Sequence, residues 1–293
     1  MTQSQSVSGS IACGVPVFSR TDALEQFLDS VPAYVDTVYV ADNGHTEDRQ
    51  HLYQRDWTFD LDVLDVEYDA GIAACRYAIT EAVTEPYLFM GDNDMEFVCS
   101  DDLRRLRGIL ESNPDLGAAC GWLLEEGTVR SGARNFLEVD GKLFKDVLEE
   151  PTVEGDELPF ARFDFVPQAG VFRTEVYDDY TYDPAVGSSE HGDFLLGHRE
   201  LGAWDFASTP AVLVKHNRWV DPEYRESDRG SGRLDRTLIE EKWGYDAFHP
   251  GSAPDWVEYN ERSLAERSFS IFRDATPPAV WVPVRRVAKR VMG

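Results

Sequence analysis

The chain has 293 residues, 42% of them apolar, and a formal charge of −26 from 54 acids against 28 bases. That charge excludes the net basic footprint a nucleic-acid partner requires. The acids run through the whole length without forming an acidic tail, so the composition describes a folded body with a solvated acidic surface rather than a disordered chain.

In chain order, "SIACGVPVFS" (10–19) reads as a strand and "RTDALEQFLDSVPAY" as a helix with Thr21 as N-cap. "DTVYVADNG" (36–44) is a second strand ending in a turn, and 60–71 holds a third. A helix follows Gly71 across "IAACRYAITEAV". "YLFMG" is a fourth strand, "DDLRRLRGILES" a helix and "GAACGWLL" (117–124) a fifth strand. Region 128–160 loses the pattern and reads as an excursion with a small hairpin around "VDGKLF". Residues 160–177 read as one strand leading into a short helix, 188–202 as a helix starting near Ser188 or Ser189, and 210–217 as a strand. Residues 219–293 carry few strand signals and read as helices and loops. Strands spaced by helical patterns imply an α/β fold with a mostly parallel sheet covered on both faces. The expected organisation is a flexible segment over 1–10, one α/β domain over 11–218 and a C-terminal extension over 219–293.

Five of the bases are lysines: Lys142, Lys145, Lys215, Lys242 and Lys289. Self-repulsion at this charge is costly in dilute buffer and screened in strong salt, so the composition implies a salt-adapted protein of the haloarchaeal kind. Its melting temperature should fall as salt is withdrawn, and equal stability at low salt removes the inference. Cys13, Cys75, Cys99 and Cys120 show no CxxC spacing and sit among apolar or small residues, so they are expected to be reduced and buried. "MTQSQSVSGS" has neither the basic start nor the apolar stretch of a signal peptide, and no run approaches the roughly 18 apolar residues of a spanning helix. The expected location is cytoplasmic.

"YLFMGDNDMEF" (87–97) is an apolar strand that stops at a glycine and then shows Asp92 and Asp94. Among 30 aspartates such a pair arises by chance, and "DLD" at 60–62 is one example. Position raises its weight: Asp42 and the pair both end predicted strands, and open parallel sheets bind ligands beyond those ends. Two carboxylates there can hold a divalent cation whose other positions go to phosphate and water. The competing reading is an acidic turn in front of the helix at 101. Trp122 and Gln168, at or near later strand ends, could line an acceptor pocket; a core tryptophan is the plain alternative for Trp122.

In order and spacing these segments resemble glycosyltransferase family two, with its nucleotide-diphospho-sugar (GT-A) fold. The residues that carry the resemblance are "VPVFSR" (15–20), Asp42 in "ADNG", Gly71 with "CRY" (75–77), "GDNDMEF", "EHGDF" (190–194) and "VKHN" (214–217). "CRY" departs from the family's usual "ARN", and Asp42 stands alone where many members have two acids. The resemblance implies a nucleotide sugar, a uridine one, held by Pro16, Ser19, Asp42, Gly71, Arg76, Asp92 and Asn93. It implies Mn2+ or Mg2+ bound by Asp94 directly, with Asp92 contacting the ribose or reaching the metal through water and His216 as a further ligand; imidazole suits Mn2+ better. It aligns Asp193 with the family's base and leaves Glu190 to position the acceptor, with inversion at the anomeric carbon. The bland alternatives are a strand-end histidine at 216, helix-dipole acids at 190 and 193, a solvent-facing Arg76 and a plain turn residue at Asp42. Two other functions compete. A sugar-phosphate nucleotidyltransferase would need a glycine-rich loop that "CGVPVFSR" does not supply, and an inactive sugar-binding relative would not need the acids.

The last segment, "PPAVWVPVRRVAKRVMG" (277–293), wound as a helix from Val284, puts Val284, Val287, Ala288 and Val291 on one face. Arg285, Arg286, Lys289 and Arg290 fall on the other. This is the pattern of a helix lying on an anionic membrane with Trp281 at the headgroups, which would bring the protein to a lipid-linked glycan acceptor. The alternative is a helix whose bases pair with the acidic body.

Overall fold

The computed structural model describes residues 9–146, 151–202, 204–217 and 233–249, all within one compact unit, Met1–Pro250. The basic tail and its membrane contact lie outside the described residues, as do most of 1–10 and of 219–293. No helix among the described residues is long and apolar enough to cross a membrane.

Strand β1 (Ile11–Val17) is buried at every position. Its alternate residues Cys13, Val15 and Val17 pack with Leu24, Phe27 and Leu28 of helix α1 (Thr21–Ser30) and with Leu103 and Leu106 of α4 (Asp102–Ser112). Ala12 on the other face packs with Cys75 and Ile79 of α3 (Ile72–Ala82) and with Phe194 and Leu195 of α6 (Glu190–Leu201). Helices on both faces are what a parallel strand requires, since both faces must leave water.

The sheet is built from β2 (Thr37–Asp42), β3 (Asp60–Asp65), β4 (Tyr87–Met90), β6 (Leu116–Glu125), β10 (Ala161–Phe163), β11 (Gly170–Arg173) and β12 (Asp205–His216) beside β1. Their order is β10-β12-β6-β11-β4-β1-β2-β3. β3, β2, β1 and β4 run parallel, and β12 runs parallel to β6, whereas β11 lies antiparallel between β4 and β6 and β10 antiparallel to β12. The mostly parallel sheet is therefore as expected. β3, "DLDVLD", is a sheet edge, and its polar residues alternate toward water accordingly. Short strand β5 (Met95–Phe97) pairs with the end of β12, and β7 (Thr128–Arg130) folds back on β6. The hairpin around "VDGKLF" is present as β8 (Asn135–Val139) and β9 (Lys142–Asp146), and β13 (Ala247–His249) extends it. Short helices α2 (Gln50–Tyr53) and α5 (Val176–Asp179) and helix α7 (Arg233–Trp243) complete the described α-helices.

Four local expectations are corrected. Thr21 is not the N-cap: Arg20 takes that place in the left-handed region (φ 64°), and the Thr21 hydroxyl bonds Asp48 instead. Residues 160–177 form two strands, because Pro167 and Gln168 interrupt pairing and β10 and β11 join different neighbours. β5 was not anticipated; three residues are too few to show a period of two. Cys99 is exposed, in the turn where its N–H caps the Asp102 carboxylate at 3.0 Å, while Cys13, Cys75 and Cys120 are buried thiols.

Pro16 sits inside a central strand without cost. Gly14 faces β4, accepting from Gly91 N at 3.1 Å, and Pro16, two residues on, faces the same side where β4 has ended. The order 3-2-1-4 reverses direction at this point, so β1 and β4 separate into a crevice at their C-terminal ends. Gly44 closes the neighbouring turn so tightly that an added Cβ would lie 1.6 Å from Phe18 O. Gly44→Ala should therefore destabilise the fold by about 2 kcal/mol or more, read as a lower melting temperature.

Candidate active site

Of the acids expected at strand ends, Asp92 and Asp94 come together with His216 at this crevice, and Asp42 stands at the end of the neighbouring strand β2. Asp42 ends β2 and is buried; its Oδ1 accepts from Arg49 Nη1 (2.6 Å), Gly44 N (2.9 Å) and His45 N (3.0 Å), and its Oδ2 from Tyr53 Oη (2.7 Å). Burial pushes its carboxyl up, but Tyr53, Gly44 and Arg49 outweigh this and hold it below the usual range. Both oxygens are thus engaged by the protein. Asn43, with its amide oriented to satisfy both contacts, donates to Val17 O (2.9 Å) and accepts from Gly71 N (3.0 Å). Gly71 caps α3 at φ 89° with open space where a side chain would stand, so the positive end of α3 faces the crevice uncovered.

The turn after β4 carries the Asp-x-Asp pair. Asn93 is buried, and its amide reaches Ser19 O (3.4 Å) while its Oδ1 accepts from Arg20 Nη2 (3.2 Å), tying this turn to the end of β1. Asp94 Oδ2 accepts from Arg20 Nη1 at 2.7 Å. Asp92 remains 30% exposed at its side chain and accepts from Arg76 Nη2 at 2.6 Å.

β5 then pairs Met95 with His216, which brings the end of β12 to the acids. Asp92, Asp94 and His216 each offer a ligand atom within 4.8 Å of the others. His216 Nε2 lies 3.4 Å from Asp94 Oδ1, and its Nδ1 bonds Glu125 Oε1 at 2.7 Å. Burial lowers this imidazole, but Asp94, Glu125 and Asp92 outweigh it and push it up to about 9. Asp94 is held below the usual carboxylate range by His216 and Arg20, which overcome burial.

The donor set fits a divalent cation. Asp94 Oδ1 is buried without a hydrogen bond, and cis ligands at about 2.1 Å from an octahedral ion lie about 3 Å apart, near the observed separation from His216 Nε2. Glu125 holds the far ring nitrogen, as the carboxylate behind a metal-bound histidine does. Glu125 and Arg20 were not among the predicted site residues. Glu125 closes β6 as an acid at a strand end, the same signal that marked Asp42, and Arg20 stands in the quoted "VPVFSR".

Arg76 is not solvent-facing. It is buried on α3, bonded to Asp92 on one side and to Glu190 on the other. Burial lowers its pKa, but Glu190 and Asp92 outweigh this and raise it. Glu190, first residue of α6, is buried, and that burial raises its carboxyl despite the attraction of Arg76.

Asp193 stands apart. It is fully buried one turn along α6, its Oδ2 accepting from Tyr180 Oη (2.7 Å) and Lys242 Nζ (2.9 Å) and its Oδ1 from Trp243 Nε1 (2.8 Å). Gln168 is buried too, donating to Tyr182 Oη (2.7 Å), whose ring centroid lies 5.9 Å from the Arg76 guanidinium. Trp122 is half-buried on β6 opposite Leu213. The structure therefore gathers Pro16, Ser19, Asn93, Asp92, Asp94, His216, Arg76 and Glu190 around one crevice and encloses Asp193 beside α7.

No protein-family model matches the chain, and no curated protein matches it in sequence. Solved structures do share its fold. GalNAc-T7, crystallised with UDP, GalNAc and Mn2+, aligns at TM-score 0.62 and 14% identity over 79% of this chain and 47% of that one. S. aureus TarS 1–349 in complex with UDP-GlcNAc aligns at TM-score 0.53 and 11% identity over 81% of this chain and 68% of that one. S. aureus TarS aligns at TM-score 0.55 and 14% identity over 81% of this chain and 40% of that one. The chain thus spans about half the length of GalNAc-T7, and its helix-flanked, mostly parallel sheet is a GT-A fold.

Proposed function

We propose that the protein is an inverting, metal-dependent glycosyltransferase that moves a sugar from a uridine-diphosphate sugar to a hydroxyl acceptor. The observation that carries this reading is the meeting of Asp92, Asp94 and His216 at the mouth of the β1–β4 crevice, with Arg76 and Glu190 directly behind. The ligands of the like-folded GalNAc-T7 and TarS structures support the uridine donor, and Mn2+ in the first supports the metal.

Asp94 and His216 would hold the cation directly, with Asp92 beside them. A divalent ion bound there would supply neutralising charge for the departing diphosphate. Arg20, only part-buried, would release Asp94 and become available to the phosphates. Glu190, whose raised pKa suits a base, takes the proton of the acceptor hydroxyl. The hydroxyl oxygen bonds the anomeric carbon as that carbon's bond to the diphosphate breaks, and the electron pair leaves with UDP. Attack from the face opposite the leaving group inverts the centre. Arg76 positions Glu190 relative to Asp92. Asp193 serves as the buried anion that fastens α7 to α6.

The test is release of nucleoside diphosphate from a panel of sugar nucleotides with Mn2+, with and without chelator. UDP release that stops with chelator and yields an inverted linkage is expected. No release from any donor, or a retained configuration, overturns the reading.

A further inference from the structure

Almost all described bases in this acidic chain sit against a carboxylate: Arg20, Arg49, Arg76, Arg162, Arg173, Arg199, Lys215 and Lys242 are examples. Arg134 and Lys145 do not. Among the described residues neither has an acid within 4.0 Å; Arg134 donates only to the neighbouring Ala133 O (2.6 Å), and Lys145 Nζ lies 3.8 Å from the centroid of the Phe165 ring. Exposed Lys142 also has no acid within 4.0 Å among the described residues, but its charge is left to water, whereas Lys145 is partly buried beside Arg134.

Their placement is shared. Lys145 on β9 is the cross-strand partner of Phe136 on β8, so both side chains leave the same face, and Arg134, two residues before Phe136, shares it. Arg134 also bridges Phe165 in backbone pairing. Burial, with Arg134's charge, pushes the Lys145 ammonium down to about 8, the response of a cation short of an anion. The Phe165 ring packs at 4.5 Å from His191, the residue after Glu190. His191 bonds the Val166 backbone, and its Nε2 is buried with no partner. Burial and the nearby cations hold this imidazole neutral, so its unpartnered nitrogen is a hydrogen-bond acceptor.

Among the described residues, two cations without an anion and an unused acceptor therefore stand around the Phe165 ring, one residue from the proposed base. We propose, building on the glycosyltransferase reading, that this is an acceptor subsite for a sugar bearing an anionic group, a carboxylate or sulfate, held by Lys145 and Arg134. Phe165, packed between Lys145 and His191, holds the two in place, and His191 Nε2 accepts from a hydroxyl of the sugar. The occupant is the acceptor rather than the donor, because the donor's diphosphate belongs to the β1–β4 crevice and this insert leaves the sheet from β6. A cationic subsite is also what an anionic ligand needs to approach a body of charge −26.

Ligand-observed NMR titration of the full chain at fixed ionic strength, with methyl glucuronide, glucose 6-sulfate and neutral methyl glucoside, tests this. At least one charged sugar should bind about tenfold or more tightly than the neutral one, and which one does so identifies the anion. Lys145→Met should remove that preference and Lys145→Arg retain it, with UDP binding unchanged in both. Equal binding of all three sugars, or a preference that survives Lys145→Met, overturns the subsite. UDP titrated separately with Mn2+ reports on the donor reading, so failure of that reading appears as absent UDP binding whatever the sugars do.

Discussion

Glu190→Gln should lower turnover by about two to four orders of magnitude while leaving UDP affinity within a few-fold, the signature of a lost general base. The substitution keeps the shape and the contact with Arg76 but removes the proton acceptor. Asp193→Asn should behave differently. Asp193 accepts three hydrogen bonds and donates none, so an amide places one N–H against a donor from Tyr180, Lys242 or Trp243. That should cost about 2–3 kcal/mol of stability, seen as a lower melting temperature with turnover nearly normal below it. A loss of turnover in Asp193→Asn equal to that of Glu190→Gln, at an unchanged melting point, would return the base to Asp193, where sequence resemblance placed it.

Asp94→Ala should weaken Mn2+-dependent UDP binding by about 100-fold or more, since substitutions that only support a metal ligand already cost about 10–100-fold. Calorimetry with and without Mn2+ reads this directly. Glu125→Gln, which reaches the cation site through His216, should fall in that smaller range. The fold should survive Asp94→Ala, because Arg20 is part-exposed and can turn to water when its partner goes. Unaltered Mn2+-dependent affinity in Asp94→Ala would remove Asp94 from the metal assignment.

The sequence by itself determined the sheet and its covering helices. Apolar runs such as "IACGVPV" and "YLFM", too short for helices and bounded by turn residues, read as strands buried on both faces, and the polar alternation of "DLDVLD" marks an edge. It also put Asp42, Asp92 and Asp94 on one side of the sheet, because parallel strands share one direction and each of these acids follows a strand. Tertiary structure decided which residues meet. His216 reaches Asp94 only through the pairing of β5 with β12, a three-residue strand with no readable period. Arg76 meets Glu190 across 114 residues of chain because α3 and α6 pack on the same face of the sheet. Glu190 and Asp193 look interchangeable in "EHGDF", three residues apart on one helix. Only the packing of Lys242 and Trp243 from α7 seals one of them and leaves the other beside Arg76 and Asp92. Local sequence fixes an element's period and polarity within a few residues; the partner of a buried charge is set by contacts made far along the chain, where desolvation leaves an unpaired group too costly to keep.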